Sequence, residues 1–200
     1  MGKPLNFVPP SVPAGKPLVP LVEDDFKSLE DYWSNAIIGY VIGYIPYEKS
    51  MDNYVTYVWN FVVKPQIMYY DNGYYMFRFW TKEDRDLILQ SGPYTYNSKP
   101  LILKQWEMNF RFDHGSMNVI PLWVKFPRLP VGYWFVKALS KLASVGGKPL
   151  YTYKYTANLK KVSYARPLME TDISKPLPEF VDIHTPEGEL HQSIEYDWRP

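Results

Sequence analysis

The fold is decided by the stretch from Ile67 to Trp80, which reads IMYYDNGYYMFRFW. Two runs rich in tyrosine, phenylalanine and methionine flank the polar segment Asp71-Asn72-Gly73. Aromatic residues favour β-strands, and Asn-Gly between two strand-like runs is a strong local signal for a hairpin. The stretch therefore predicts two antiparallel strands joined by a tight turn.

Upstream of the hairpin, the pattern predicts one strand followed by one helix. Residues 36–46, AIIGYVIGYIP, form an apolar, β-branched run typical of a buried strand. The next segment has apolar residues at helical spacing from Met51 to Val62, and Ser50 is the expected N-cap. Pro65 is expected to end this helix.

Downstream of the hairpin, a second helix and a further strand are predicted. Thr81 and Asp84 have the spacing of a capping box, and Gly92-Pro93 is the expected stop. Residues 100–110, PLILKQWEMNF, then form a strand. The order strand, helix, strand, strand, helix, strand is the split βαβ pattern of ferredoxin-like and RNA-recognition-motif-like domains, whose two helices cover one face of an antiparallel sheet.

The pattern restarts after a polar break at residues 113–116. Residues 120–130 predict a strand, a helix follows up to Gly146-Gly147, and the remaining residues alternate like antiparallel strands with a turn at 186–188. The predicted fold class is therefore α+β, with a split βαβ sheet and two helices packed on a second, smaller α+β unit. The predicted domain organisation is a proline-rich flexible tail (1–20), the βαββαβ unit (21–113) and the smaller unit (114–200), tightly coupled to the first.

Charge is distributed unevenly along the chain, although the net charge is only +1. Residues 1–98 hold 8 basic and 11 acidic side chains, residues 99–168 hold 12 and 2, and residues 169–200 hold 2 and 8. A local basic block attracts phosphates whatever the global charge, because salt screens the field within about 8 to 10 Å. The middle segment is therefore the expected polyanion-binding part; the alternative is a solvated lysine-rich face that binds nothing.

The basic block alternates with tyrosines, which is the composition of a groove for flexible single strands. Cations neutralise phosphates there, while aromatic rings stack on bases. The alternative is that alternate tyrosines line the core while the lysines face water. The expected nucleic-acid-binding residues of this block are Lys125, Arg128, Lys137, Lys141, Lys148, Lys154, Lys160, Lys161 and Arg166.

The outer face of the first sheet supplies two further candidates. Alternation along residues 74–79 places Tyr74 and Arg78 outward, where RNA recognition motifs stack bases on aromatic rings. The partner strand is expected to present Gly39, Val41 and Gly43 outward, which leaves only one aromatic on this platform. A packed or partner-covered sheet face is therefore the alternative to base stacking at Tyr74.

Other function classes find little support in the sequence. The chain has no cysteine, and its three histidines match no zinc-ligand spacing. We therefore expect no enzyme activity, no metal, no cofactor and no small-molecule substrate. A secretion signal and an apolar run of roughly 18 residues, the length that crosses a bilayer, are both lacking. The expected location is intracellular, nuclear or cytoplasmic, with no membrane partner.

Three stretches together resemble a plant domain of unknown function that precedes the zinc knuckle in LINE-type retroelement proteins, which are Gag-like. They are residues 73–110, residues 121–152 and the closing IEYDWRP at 194–200. The resemblance implies a nucleic-acid-binding protein of a retroelement ribonucleoprotein, with chaperone-like activity. The family continues into a zinc knuckle, which does not occur in these 200 residues.

Two functions remain open at this point. The first is sequence-tolerant binding of single-stranded RNA or DNA by the basic block, with the first unit as a scaffold. The second is a protein-interaction or self-assembly module, in which aromatic sheet residues mediate self-association and the missing knuckle binds the nucleic acid. The first predicts an affinity that falls steeply with salt concentration.

Overall fold

The computed structural model describes residues 2–112, 118–159 and 163–198. The chain divides into two compact units, Met1–Trp33 and Ser34–Pro200. The expected division near residue 113 thus falls inside the second unit. The first unit is exposed and contains 3-10 turns at Pro13–Gly15 and Glu23–Asp25 before its single described helix.

Five helices and twelve strands occur in the described ranges. The helices are α1 (Lys27–Trp33), α2 (Glu48–Val58), α3 (Lys82–Ser91), α4 (Val136–Ala143) and α5 (Lys154–Ala157). The strands are β1 (Ala36–Val41), β2 (Gln66–Tyr70), β3 (Tyr74–Arg78), β4 (Tyr94–Tyr96), β5 (Lys99–Gln105), β6 (Val119–Pro127), β7 (Lys148–Thr152), β8 (Tyr164–Ala165), β9 (Pro167–Asp172), β10 (Phe180–Thr185), β11 (Gly188–Ser193) and β12 (Glu195–Tyr196).

The first sheet confirms the predicted α+β class and the predicted order of elements. Its strands are antiparallel in the order β2-β3-β1-β5-β4, and β2 and β3 are joined through the predicted turn at Asp71–Gly73. The short strand β4, which the sequence pattern did not separate from its surroundings, forms a hairpin with β5. Helices α2 and α3 cover one face, where Met51, Trp59 and Ile88 pack on Phe77 and Leu103.

Of the two predicted helix N-caps, the structure confirms Thr81 and contradicts Ser50. Thr81 is the N-cap of α3, and its hydroxyl accepts a hydrogen bond from the Asp84 backbone at 3.1 Å, as predicted. Ser50 is not the cap of α2, because the helix already begins at Glu48, directly after Tyr47. The Tyr47 carbonyl accepts hydrogen bonds from the backbone of Ser50 and Met51, so Ser50 lies inside the first turn.

The orientation predicted for β1 was wrong by one residue. Tyr74 pairs with Tyr40, and Met76 pairs with Ile38, so Tyr40 and Ile38 share the outer face with them. Gly39 instead faces the helices, where a Cβ atom would lie 2.7 Å from the Phe77 ring. The pairing with β3 decides this orientation, which the apolar run of β1 alone leaves ambiguous.

The second sheet has the order β12-β6-β9-β7, with β8 beside β6. Helix α4 packs on it through Leu139, Leu142 and Ala143. The predicted turn at 186–188 joins β10 and β11 into a separate hairpin. The expected continuous strand run after residue 150 is interrupted by the short helix α5, so that part of the prediction was wrong.

A small apolar cluster joins the two sheets. Ile102, on the outer face of β5, packs with Ile120 and Leu122 of β6. Tyr40 and Trp198 are half-buried against the same cluster. The second half of the chain therefore covers the outer face of the first sheet along β1 and β5.

Candidate nucleic-acid interface

Two cations in the strand part of the basic block share one buried carboxylate. Strand β12 pairs with β6 and brings Asp197 beside it. One oxygen of the Asp197 carboxylate lies 2.7 Å from Lys125 Nζ, and the other accepts two hydrogen bonds from the Arg166 guanidinium. Lys125 and Arg166, two of the cations predicted to contact phosphates, are thus bound to one carboxylate.

Arg166 is a packing residue, which corrects its predicted place in the interface. Its side chain is 9% exposed. The guanidinium carbon lies 4.8 Å from the centre of the Trp123 ring and 4.7 Å from that of Tyr153, an arrangement stabilised by cation–π attraction. A buried guanidinium that already bonds to a carboxylate cannot reach a phosphate without breaking this cluster.

Lys148 also has an acidic neighbour, although a distant one. It pairs with Glu170 across β7 and β9, and the two charges are 3.9 Å apart. Lys104 lies at the same distance from Glu170. The Lys148 side chain is 74% exposed, so solvent weakens its ion pair and it stays accessible to a ligand.

Helix α4 and the turn before it carry the accessible part of the basic block. Arg128, Lys137 and Lys141 are exposed, and none of them has an ion pair within the described residues. Lys137 and Lys141 are four residues apart on α4, so they share one helix face. Arg128 has a φ of 57° and donates its backbone N–H to the Ser163 carbonyl, which fixes the turn.

An exposed aromatic ring lies at the start of the same helix. Phe135 is the residue before α4, and 73% of it is exposed. It lines a shallow groove of about 210 Å³ together with Val131, Trp134 and Leu159. We define the α4 surface as Arg128, Phe135, Lys137 and Lys141.

Three of the predicted lysines are not placed relative to this surface. The backbone of Lys154 belongs to helix α5 rather than to the strand expected there, and its side chain lies outside the described part of the chain. Lys160 and Lys161 lie outside the described residues altogether.

The two sheet candidates belong to the first sheet and differ in exposure. Tyr74 is only 5% exposed, and its ring contacts those of Tyr40 at 5.7 Å and Phe112 at 5.5 Å between centroids. Burial raises the pKa of the Tyr40 hydroxyl to about 12. Arg78 is half-buried, and its guanidinium lies 5.8 Å from the Trp80 ring centre.

Sequence reasoning missed Phe135, Phe112 and Asp197. Phe135 follows Trp134 in an aromatic run that is typical of a core, so nothing local marks it as exposed. Phe112 lies in the connection between the two halves, where no periodicity assigns a role. Asp197 does lie in the resembling segment 194–200, but its partners are distant in the chain.

Metal binding requires a cluster of ligand side chains among the described residues. Among them, no group of three histidine, aspartate or glutamate side chains is placed to hold a metal ion. His191 Nδ1 lies 2.6 Å from Asp182 on the exposed β10–β11 hairpin. Within the described residues, each helix is too short or too polar to cross a membrane.

The sequence also has similarity to known families and structures. Residues 29–114 match the model of a family described as Domain of unknown function (DUF4283). The match covers less than half of the chain and ends before the α4 surface, so the resemblance noted above is supported over residues 73–110 and untested beyond them.

No protein with a curated description matches the chain. One similar solved structure is that of the RNA-binding domain of Hrp1 in complex with RNA, with 11% sequence identity. The alignment covers 82% of this chain and 97% of that chain, with a TM-score of 0.32. A TM-score of this size does not carry the ligand of that domain over to this protein.

Proposed function

We propose that this protein binds single-stranded nucleic acid, RNA in particular, through the α4 surface and without enzymatic activity. One observation carries the proposal: Arg128, Lys137 and Lys141 are exposed cations without acidic partners among the described residues, and the same helix begins after an exposed aromatic ring, Phe135. Of the other described residues predicted for the interface in this block, Lys125, Lys148 and Arg166 each have a carboxylate partner. The α4 surface is therefore where phosphate contact requires no internal ion pair to break.

The chemistry of this surface suits a flexible single strand. Lys137 and Lys141 each carry a compact charge on a long, flexible side chain. Each can therefore bind phosphates at many different positions. Phe135 presents a ring to bases, and stacking is tolerant of sequence because every base has a π face. We therefore expect binding without strong sequence preference.

Salt dependence of the affinity tests the proposal. Three phosphate contacts predict a slope of roughly −2 for the logarithm of the association constant against the logarithm of salt concentration, since each contact releases about 0.7 counterion. The measurement is fluorescence anisotropy of a labelled single-stranded RNA at about 50 and about 200 mM salt. Undetectable binding in the micromolar range rejects the proposal and favours the protein-interaction alternative.

A matched pair of variants locates the site. Lys137→Gln with Lys141→Gln removes two charges from the α4 surface and is expected to reduce the magnitude of the slope by roughly 1.4. Lys49→Gln with Lys82→Gln removes two exposed charges from α2 and α3 and is the control. Equal losses in both variants mean that binding follows net charge and not this surface.

We also propose that the chain acts in a retroelement-type ribonucleoprotein as a nucleic-acid chaperone. The resemblance of residues 73–110, 121–152 and 194–200 supports this proposal, together with the DUF4283 match. A chaperone accelerates annealing of complementary strands. The expected result is faster annealing of complementary oligonucleotides with the unmodified protein than with the Lys137→Gln, Lys141→Gln variant, and equal rates contradict it.

A further inference from the structure

Two aromatic rings stack closely on the outer face of the first sheet. The centroids of Tyr70 and Phe112 are 3.9 Å apart, and the ring planes differ by 16°. Phe112 also meets the edge of Tyr74 at 5.5 Å and 72°. Tyr74 is buried, while Tyr70 is still 48% exposed. Phe112 thus covers the strand pair β2–β3 at the position where Tyr70 pairs with Tyr74.

The geometry of this contact is that of a planar base on an aromatic side chain. Near-parallel rings at this separation are what single-strand-binding proteins use for nucleobases. A phenylalanine in that position supplies a similar face without the polar edge or the phosphate. The ring therefore occupies a place that a nucleobase would fit.

Within the described residues, aromatic rings make the contacts that hold Phe112 in place. It lies outside any strand or helix, and residues 107–109 and 111 in the same segment are exposed. The Phe110 backbone donates a hydrogen bond to the nearby Glu107 carbonyl, and the Phe110 ring meets the Phe112 ring at 5.1 Å. Displacing the Phe112 side chain would thus leave strands β2 and β3 paired with each other.

The surrounding outer face is compatible with a nucleic acid. Register places six side chains of the β2–β3 hairpin on this face, and none of them is acidic. Arg78 adds a guanidinium at one end of this face, opposite Gln66. A nucleobase on this hairpin face therefore meets no carboxylate. The six side chains are Gln66, Met68, Tyr70, Tyr74, Met76 and Arg78.

We propose that Tyr70 and Tyr74 form a base-stacking site for single-stranded RNA, and that Phe112 occupies this site in the free protein as an autoinhibitory contact. A base of the bound strand displaces Phe112 and stacks on Tyr70. This site is separate from the α4 surface, and the proposal shares with the proposed function only the ligand class.

The test compares three variants of the full chain by anisotropy with a fluorescein-labelled oligoadenylate RNA. Removing the competitor in Phe112→Ala is expected to raise the affinity about fivefold, because one aromatic stacking contact no longer competes with the base. Met108→Ala, an exposed position in the same segment, is the control and leaves the affinity unchanged. Adding Tyr70→Ala to Phe112→Ala is expected to abolish the gain.

Circular dichroism verifies that each variant is folded, and Phe112→Leu guards against misfolding of the alanine variant. Leucine retains apolar cover but has no π face, so it is expected to give an intermediate gain. A folded Phe112→Ala or Phe112→Leu protein with unchanged or weaker affinity overturns the proposal. The proposal is also overturned if the gain in affinity of Phe112→Ala persists when Tyr70→Ala is added.

The two proposals fail in different ways. The gain from Phe112→Ala comes from stacking and is expected to be independent of salt, whereas the loss from Lys137→Gln with Lys141→Gln is salt-dependent. A loss in the lysine variant without a gain in Phe112→Ala rejects only the autoinhibitory site. Binding that appears only in Phe112→Ala supports that site and rejects the α4 surface.

Discussion

The guanidinium of Arg166 bonds to the carboxylate of Asp197, 31 residues further along the chain, and both side chains are almost completely buried. The same carboxylate also binds Lys125. This pair fixes the end of β12 beside β6 within the second sheet. The Asp197 carboxylate therefore engages Arg166 and Lys125, two cations that the sequence assigned to nucleic-acid binding.

We expect Asp197→Asn to lower the free energy of unfolding by about 3 to 5 kcal/mol, because it leaves the Arg166 charge buried without a partner. The measurement is urea denaturation. Asp52→Asn breaks the Lys64 ion pair, whose side chains are both 45% exposed, and is expected to lose less than about 1 kcal/mol. Similar losses in the two variants contradict the structural role of Asp197.

We expect Phe135→Ala to weaken binding of single-stranded RNA by on the order of 1 to 2 kcal/mol, because a stacking ring is lost. The salt slope should stay unchanged, since the substitution removes no charge. Phe61→Ala, at another exposed aromatic position, serves as the control. Loss of affinity in both variants, or a change of slope in Phe135→Ala, would show that the ring does not act as a local stacking partner.

We expect residues 34–200 to unfold in one thermal transition. Ile102, Ile120 and Leu122 form a shared cluster between the sheets, and Lys104 and Glu170 form a largely buried ion pair across them at 3.9 Å. A fragment of residues 116–200 loses both contacts and should be poorly folded, because small units are marginally stable. Two separate calorimetric transitions, or a well-dispersed NMR spectrum of that fragment, would refute this coupling.

We expect stability to decrease between about pH 10 and 12. Burial raises the pKa of Tyr40, Tyr54 and Tyr75 from 10.0 to about 12. In this window the unfolded chain releases these protons while the folded chain keeps them, so the free energy of unfolding falls as pH rises.

Tyr54→Phe removes one of these groups and should make the fall shallower. Urea midpoints at about pH 9 and about pH 11 measure it. Tyr57→Phe, at an exposed position of the same helix, is the control. An identical pH dependence in the Tyr54→Phe and unmodified proteins contradicts the assignment.

Local chemistry made much of the first sheet predictable. The turn at Asp71–Gly73 and the Thr81 cap depend on residues within three positions of one another, and both occur as predicted. The turn at 186–188 is equally local. Ser50 failed as a cap because α2 already begins at Glu48, ahead of Met51, the first apolar residue of the predicted helical pattern.

The candidate interface was predictable only in outline. The basic block and its lysine pair on α4 follow from composition and helical spacing. Composition and spacing do not show which of these side chains stay accessible. Asp197, which follows β12, binds Arg166 and Lys125, and Glu170 of β9 pairs with Lys148.

The sequence by itself determined the order of strands and helices in the first sheet apart from β4, because turns, caps and side-chain periodicity act over a few residues. Only the tertiary structure decided that Tyr40 faces outward, that Arg166 is buried and that Phe112 covers Tyr70. Each of these depends on a partner 31 to 42 residues away, as the pairs Arg166–Asp197, Tyr40–Tyr74 and Tyr70–Phe112 show. Strand register and long-range burial, which no local pattern encodes, bring those partners together.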